Sequence, residues 1–220
     1  MVNEQLISPV VPALMLTDTG SKALQLMMDN SLTALPLVND DQYLAIVRED
    51  DLLEWDNQEA PLSKADFLDF KPMVAAQGHP YEAIKLVHRQ NLSVVPVVSS
   101  DDKYVGAITV DNLLNYIAEA SGIEIPGAIL VLEIEPRNYS MYSIAKIFEN
   151  EDAILISSNM HSNKQTNKLE VTIKTNRTDV SSIVASLEHN RYKVIEIFGE
   201  QHNTEDIVDR YKLLMNYLNM

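Results

Sequence analysis

Leu32-Thr33-Ala34-Leu35-Pro36-Leu37-Val38 returns sixty residues later as Leu92-Ser93-Val94-Val95-Pro96-Val97-Val98. A repeat of this period is one supersecondary unit used twice, so the fold follows from what that unit contains. Upstream, Ala23-Leu24 and Leu26-Met27 recur as Ala83-Ile84 and Leu86-Val87 at the same offset. Downstream, one inserted residue shifts the register. Tyr43-Leu44-Ala45-Ile46-Val47 becomes Tyr104-Val105-Gly106-Ala107-Ile108, and Asp50-Asp51-Leu52-Leu53 becomes Asp111-Asn112-Leu113-Leu114.

Each copy reads as helix, strand, strand, helix. In the first copy Ser21 is placed to cap a helix whose apolar positions Ala23, Leu24, Met27 and Met28 share one face. The short apolar runs at 35–38 and 43–47, separated by the turn-forming Asn39-Asp40-Asp41-Gln42, read as buried strands. Asp50 or Asp51 then opens a second helix through Leu52, Leu53 and Trp55.

Two such copies resemble the paired CBS domain, whose repeats carry an xLPVV strand and then a Gly-x-x-Thr/Ser-x-x-Asp motif leading into a helix. The resemblance spans about residues 6–121 and implies one compact module over 1–121, with repeats at about 6–57 and 70–121. It implies AMP, ADP, ATP or S-adenosylmethionine as a regulatory ligand between the repeats, with the motif threonine on phosphate and its aspartate on ribose. The second copy offers Gly106 and Thr109, with Asn112 at the carboxylate position. The first keeps Asp51, with Ala45 for the glycine and Arg48 for the threonine. A carboxylate accepting from ribose hydroxyls is worth about 1.5–3 kcal/mol and a neutral amide about 0.5–1.5, so Asn112 is expected to weaken a nucleotide about tenfold. Arg48 can grip a phosphate bidentately or stand as a surface arginine. Asp51 and Asn112 also suit helix caps.

After Gly122-Ile123-Glu124-Ile125-Pro126-Gly127, read as a linker over 122–127, the pattern changes. Ala128–Glu135 is expected as a strand, Ser140 as the cap of a helix carrying Met141, Ile144, Ala145 and Phe148, and Ala153–Met160 as a second strand. A polar turn at 162–167 leads into the alternating Leu169, Val171 and Ile173. Thr178 or Asp179 caps a helix through Ile183, Val184 and Leu187, and Tyr192–Phe198 is the last strand. The order βαββαβ makes an α/β (α+β) chain with a ferredoxin-like second domain over 128–200. That domain resembles the ACT domain, a regulatory module that binds amino acids where subunits meet. Its ligand turn falls on Arg137, Asn138, Tyr139 and Ser140, which lack the family's glycine. Amino-acid binding and simple dimerisation are therefore both open. A CBS pair followed by one ACT domain is similar to the AcuB-type acetoin-utilisation regulatory proteins. From 201 onward an amphipathic helix is expected, with Ile207, Tyr211, Leu214 and Leu218 on one stripe. The stripe folds back on its own sheet or meets a second chain, the latter giving a homodimer.

Composition narrows the rest. With 46% hydrophobic and 22% charged residues, the chain is an ordinary folded one. Seventeen basic and 32 acidic side chains give a net charge of −15, which disfavours nucleic acid. Residues 1–122 carry 7 basic and 18 acidic residues (net −11) and 123–220 carry 10 and 14 (net −4), a second sign of two units. The absence of cysteine excludes disulfides and thiolate chemistry. The longest apolar run, Val10–Leu16, is too short to span a membrane, and no basic residue precedes Lys22, so the expected address is the cytoplasm. Gly122 and Gly127 have P-loop spacing, but Ala128 and Ile129 stand where a lysine and a hydroxyl are needed. The five histidines, at 79, 88, 161, 189 and 202, make no zinc-hydrolase pattern, and His161 is expected at the end of a strand. No catalytic or metal constellation is found, and no cofactor is expected. The reading is thus a non-catalytic ligand sensor acting on an unknown regulated protein. The alternatives are a scaffold with degenerate sites and an allosteric subunit of a separate enzyme.

Overall fold

The computed structural model describes residues 1–199. The helix expected from 201 onward, and the dimer contact assigned to it, lie outside the described residues. The chain divides into two compact units, Met1–Ile117 and the remainder from Ala118.

The first unit contains the repeat. Its first copy runs β1 (Leu14–Met15), α1 (Gly20–Asp29), β2 (Ala34–Asn39), β3 (Gln42–Arg48) and α2 (Glu49–Glu54). The second runs β4 (Val74–Ala75), α3 (Pro80–Gln90), β5 (Val94–Val98), β6 (Tyr104–Thr109) and α4 (Val110–Ser121). Each copy forms a three-stranded sheet, β1-β2-β3 or β4-β5-β6, with the first pairing parallel and the second antiparallel. Even the irregularity repeats, with one register shift at Leu37/Val38 and another at Val97/Val98.

Helix starts depart from the sequence expectation. Thr19, not Ser21, caps α1, accepting from the Lys22 N–H at 3.2 Å. Gly20 already has helical geometry, so Ser21 lies inside the first turn and donates to Glu59 instead. α2 opens at Glu49 with Arg48 in the cap position, so neither Asp50 nor Asp51 caps it. Glu49, Asp50 and Asp51 fill its first turn, where carboxylates favour the positive end of the helix dipole.

A feature without sequence warning ties the copies together. The 3₁₀ turn Asn3–Leu6 precedes the first repeat but packs on the second. Asn3 and Glu4 N–H groups donate to the Gly78 and Ala76 carbonyls, both at 3.0 Å, and Leu6 joins the core of Val74, Ala83, Val95, Val97 and Ile108. The turn Leu62–Lys64 precedes the second repeat but packs on the first. Leu62 and Ser63 donate to the Asp18 and Leu16 carbonyls at 2.8 and 3.0 Å, and Leu62 enters the core of Leu14, Ala23, Met27, Leu35 and Leu52. The acceptors Asp18/Gly78 and Leu16/Ala76 are each sixty positions apart, so the exchange obeys the repeat. A third core of Ala34, Ile46, Leu92, Val94 and Ala107 lies between the sheets. Tyr43 and Tyr104 stack at 6.5 Å beside it, and burial pushes the Tyr104 phenol up to about 12.

In the second unit β7 (Ile129–Ile134), α5 (Met141–Asn150), β8 (Leu155–Asn163), β9 (Lys168–Thr175), α6 (Ser181–His189) and β10 (Lys193–Phe198) follow in the order βαββαβ. The sheet is antiparallel, ordered β10-β7-β9-β8. Leu130, Leu132, Val171 and Ile173 pack against Ile144, Ile147 and Phe148 of α5 and Ile183 and Leu187 of α6. Ser140 caps α5 as expected, accepting from Ser143 N–H at 3.2 Å. Two expectations need correction. β8 extends through Asn163, which puts His161 inside the strand, because pairing with β9 overrides the turn-like composition. α6 opens at Ser181 with Val180 in the cap position, and the Asp179 carboxylate accepts from the Ser181 N–H and hydroxyl at 3.0 and 2.8 Å.

Polar side chains pair across the strands. Glu133 on β7 meets Lys193 at 2.8 Å and Lys168 at 2.9 Å, and Glu170 on β9 meets His161 at 3.0 Å. The Lys193 and Lys168 hydrogen bonds hold the Glu133 carboxyl below its ordinary value of 4.5. A depressed folded-state pKa stabilises above the unfolded value and loses that contribution as pH falls through the folded one. The second unit should therefore lose protection of β7 and β9 amides as pH drops below about 4.5, and Glu133→Gln should flatten that dependence. Identical acid profiles for the two proteins in hydrogen exchange would refute the assignment.

Candidate nucleotide site

The motif residues lie where β3 and β6 run into α2 and α4. In each sheet the last residue of the outgoing strand faces the first of the incoming one, Arg48 opposite Ala34 and Thr109 opposite Val94. The residues just before, Thr33 and Ser93, hold the two helix starts: Glu49 N–H donates to Thr33 O at 2.9 Å and Val110 N–H to Ser93 O at 3.3 Å. Thr33 and Ser93 also meet each other, the Thr33 N–H donating to Ser93 Oγ at 3.1 Å. In the sequence both residues stand out only as part of the repeat. Their hydrogen bond brings the two motif ends to a common boundary.

Within each half the candidate side chains satisfy one another. Arg48 donates through Nε and a terminal nitrogen to both Asp51 oxygens, at 2.9 and 2.8 Å. Its guanidinium also lies 5.2 Å from the Phe70 ring centre. Asp51 raises the Arg48 pKa further, with Asp50 and Glu54 adding to the effect. The Thr109 hydroxyl donates to Asn112 Oδ1 at 2.5 Å, and the Asn112 N–H donates back to Thr109 Oγ at 3.2 Å. This is a reciprocal cap on α4. Gly106 makes room for protein: a Cβ there would strike the Ile7 side chain of the amino-terminal arm. Thr109 and Asn112 form one cluster, Arg48 and Asp51 another, and Gly106 sits beneath Ile7.

The ligand turn expected in the second unit connects β7 to α5. Pro136–Asn138 forms a 3₁₀ turn, Tyr139 packs against the core and Ser140 caps α5, which leaves Arg137 and Asn138 exposed. A shallow cleft of about 360 Å³ lies elsewhere, between α5 and the start of β8, lined by Tyr142, Ala145, Lys146, Glu149 and Leu155. Among the described residues no group of three acidic or histidine side chains is placed to hold a metal ion. No described helix is long and apolar enough to cross a membrane.

The repeat, the paired sheets and the two motif ends now have an independent counterpart. The family model for the CBS domain matches residues 4–57 and 72–119. The first unit is a CBS domain pair. Among solved structures, the chain is similar to a CBS domain pair/ACT domain protein from Thermotoga maritima, at 20% identity and TM-score 0.48, covering 55% of this chain and 98% of that one. It is similar to a protein called an acetoin utilization protein (AcuB) from Vibrio cholerae, at 24% identity and TM-score 0.48, covering 56% and 95%. A third is CBSX2 in complex with AMP, at 20% identity and TM-score 0.46, covering 54% and 96%. No curated protein matches the sequence.

Proposed function

We propose that this chain is a non-catalytic, cytoplasmic regulatory protein that senses an adenosine nucleotide (AMP, ADP or ATP) in its CBS pair and works as a homodimer through its ACT-like second unit. The supporting observation is the Thr33–Ser93 hydrogen bond, which brings the motif ends of both repeats to one boundary. Of the two halves, the second is the better host. Thr109 and Asn112 are a neutral pair that a ribose and a phosphate can open by exchanging hydrogen bonds one for one, whereas Arg48 and Asp51 are a charged bidentate pair. A nucleotide is an anion entering a segment of net charge −11, so field attraction does not assist it and these donors must supply the affinity.

A thermal-shift screen with AMP, ADP, ATP, S-adenosylmethionine and amino acids tests the reading. A ligand at a hundredfold its dissociation constant adds about 2.7 kcal/mol of stability. Thr109→Ala should weaken the nucleotide about fivefold by calorimetry, and Asn112→Asp should leave affinity unchanged or raise it. Asp51→Ala as the most damaging change, with Thr109→Ala silent, would move the site to the first repeat. The second reading, a scaffold with degenerate sites, is favoured by the internal pairing of Arg48 with Asp51 and Thr109 with Asn112. No shift with any adenosine ligand at millimolar concentration would establish it over the sensor. Light scattering should give about twice the 24.8 kDa chain mass.

A further inference from the structure

α4 belongs to both units. It begins at the Thr109–Asn112 pair, and the boundary between the units falls inside it, after Ile117. Leu113 and Tyr116 pack into the core of the second repeat, so the first half of the helix is part of the domain that holds the candidate site. Its last turn is fixed by different partners. Gly122, at φ +62°, stands just past the end in the left-handed conformation that glycine adopts without strain. The Gly122 and Ile123 N–H groups donate to the Glu119 and Ala118 carbonyls at 3.1 and 3.2 Å, the paired bonds of a Schellman closure. The Ser121 carbonyl accepts from Ser157 Oγ on β8 at 2.8 Å. Ile156 lies so close against Gly122 that a Cβ there would strike its side chain. Both β8 residues sit at the register shift between Leu155 and Ser157, where the strand departs from regular pairing with β9.

We propose that α4 carries the output of the nucleotide site: a nucleotide at Thr109 and Asn112 firms the helix along its length and tightens its anchorage on Ser157 and Ile156. The inference rests on the sensor reading and adds the regulation of that same site. The chemistry at the first turn favours the bound state. A threonine hydroxyl has one donor and two acceptor lone pairs. Thr109 can therefore turn its proton from Asn112 Oδ1 to a phosphate while its Oγ keeps accepting from the Asn112 N–H, so the ligand is gained without loss of the cap. A phosphate beside the first turn also complements the positive end of the helix dipole. α4 has twelve residues, about the length at which a helix in water is marginal, and helix formation is cooperative, so a constraint at one end is felt at the other. The coupling is reciprocal by linkage: whatever loosens the Ser121 end must weaken the nucleotide.

Amide hydrogen exchange on the full chain, with and without the tightest binder of AMP, ADP and ATP at millimolar concentration, tests the route. Exchange over 118–123 should slow at least about fivefold in the bound protein, while β10 of the same unit stays unchanged. Ser157→Ala, outside the nucleotide site, should weaken the nucleotide about fivefold by calorimetry. Ala118→Gly combined with Ala120→Gly replaces two of the best helix formers with a poor one, and should bind the nucleotide more weakly and lose the response at 122–123. Nucleotide binding with unchanged exchange over 118–123 in the wild type would overturn the route and leave the sensor standing. An undiminished response in the double glycine variant, or unaltered affinity in Ser157→Ala, would do the same. No binding of any of the three nucleotides would overturn the sensor reading and the route with it.

Discussion

Leu62→Ala should lower the stability of the CBS pair by about 2–5 kcal/mol, the range for deleting a fully buried leucine from a packed core. The residue lies between the two repeats in sequence, where a linker would tolerate alanine. In the fold it closes the first repeat's core against Leu14, Met27 and Leu52. The equivalent position on the second repeat is Asn3, and the contrast gives the opposite sign there. Asn3 is fully buried, its Nδ2 donates to the Ala75 carbonyl at 2.9 Å, and its Oδ1 has no partner. The Ala75 carbonyl also accepts from the Gly78 N–H at 2.9 Å, so it stays satisfied without the side chain. Asn3→Leu removes an unpaired buried acceptor while keeping the same heavy-atom branching and should raise stability by about 1 kcal/mol. Trp55, the single tryptophan, packs on Phe67 in the same unit and reports both variants by fluorescence during urea unfolding. A silent Leu62→Ala would show that the exchanged turns contribute nothing.

The repeat was legible because burial in the same place in two copies demands the same residue classes, hence Leu35-Pro36-Leu37-Val38 and Val95-Pro96-Val97-Val98. The exchanged turns were not. Asn3-Glu4-Gln5-Leu6 and Leu62-Ser63-Lys64-Ala65 share no pattern, since most of their hydrogen bonds come from backbone groups that any residue supplies. The site residues were legible by type, but not their pairing. Arg48 and Asp51, or Thr109 and Asn112, stand three apart at a helix start, a spacing that serves a cap or ion pair as well as a ligand. The sequence expectation ends β8 at Met160 because Ser162-Asn163 belong to a polar turn by composition, yet the strand continues through Asn163. Cross-strand pairing with β9 decides that segment.

Gly127→Ala should destabilise the second unit by about 2–6 kcal/mol. Its φ is +147°, a backbone region that L side chains rarely adopt, and such strain costs about 1–3 kcal/mol. A Cβ there would also fall on the Thr175 carbonyl oxygen, a backbone atom that cannot swing aside as a side chain can. The surrounding ladder leaves no slack: Ala128 N–H donates to Arg177 O at 2.7 Å and Thr175 N–H donates to Ala128 O at 3.0 Å. Displacing it adds an overpacking cost of about 1–3 kcal/mol. Gly20 is the control. A Cβ there meets Gln58 and Trp55 atoms at 3.1–3.2 Å, and its backbone is already helical, so Gly20→Ala should cost much less. Hydrogen exchange in β7 and β9 should rise in Gly127→Ala while Trp55 fluorescence, a signal from the other unit, stays unchanged. Unaltered protection would refute the close approach. Gly122, whose Cβ would meet the Ile156 side chain, completes the account of the two glycines at P-loop spacing: at both positions the neighbour that excludes a side chain is the protein itself, and no phosphate is needed to explain them.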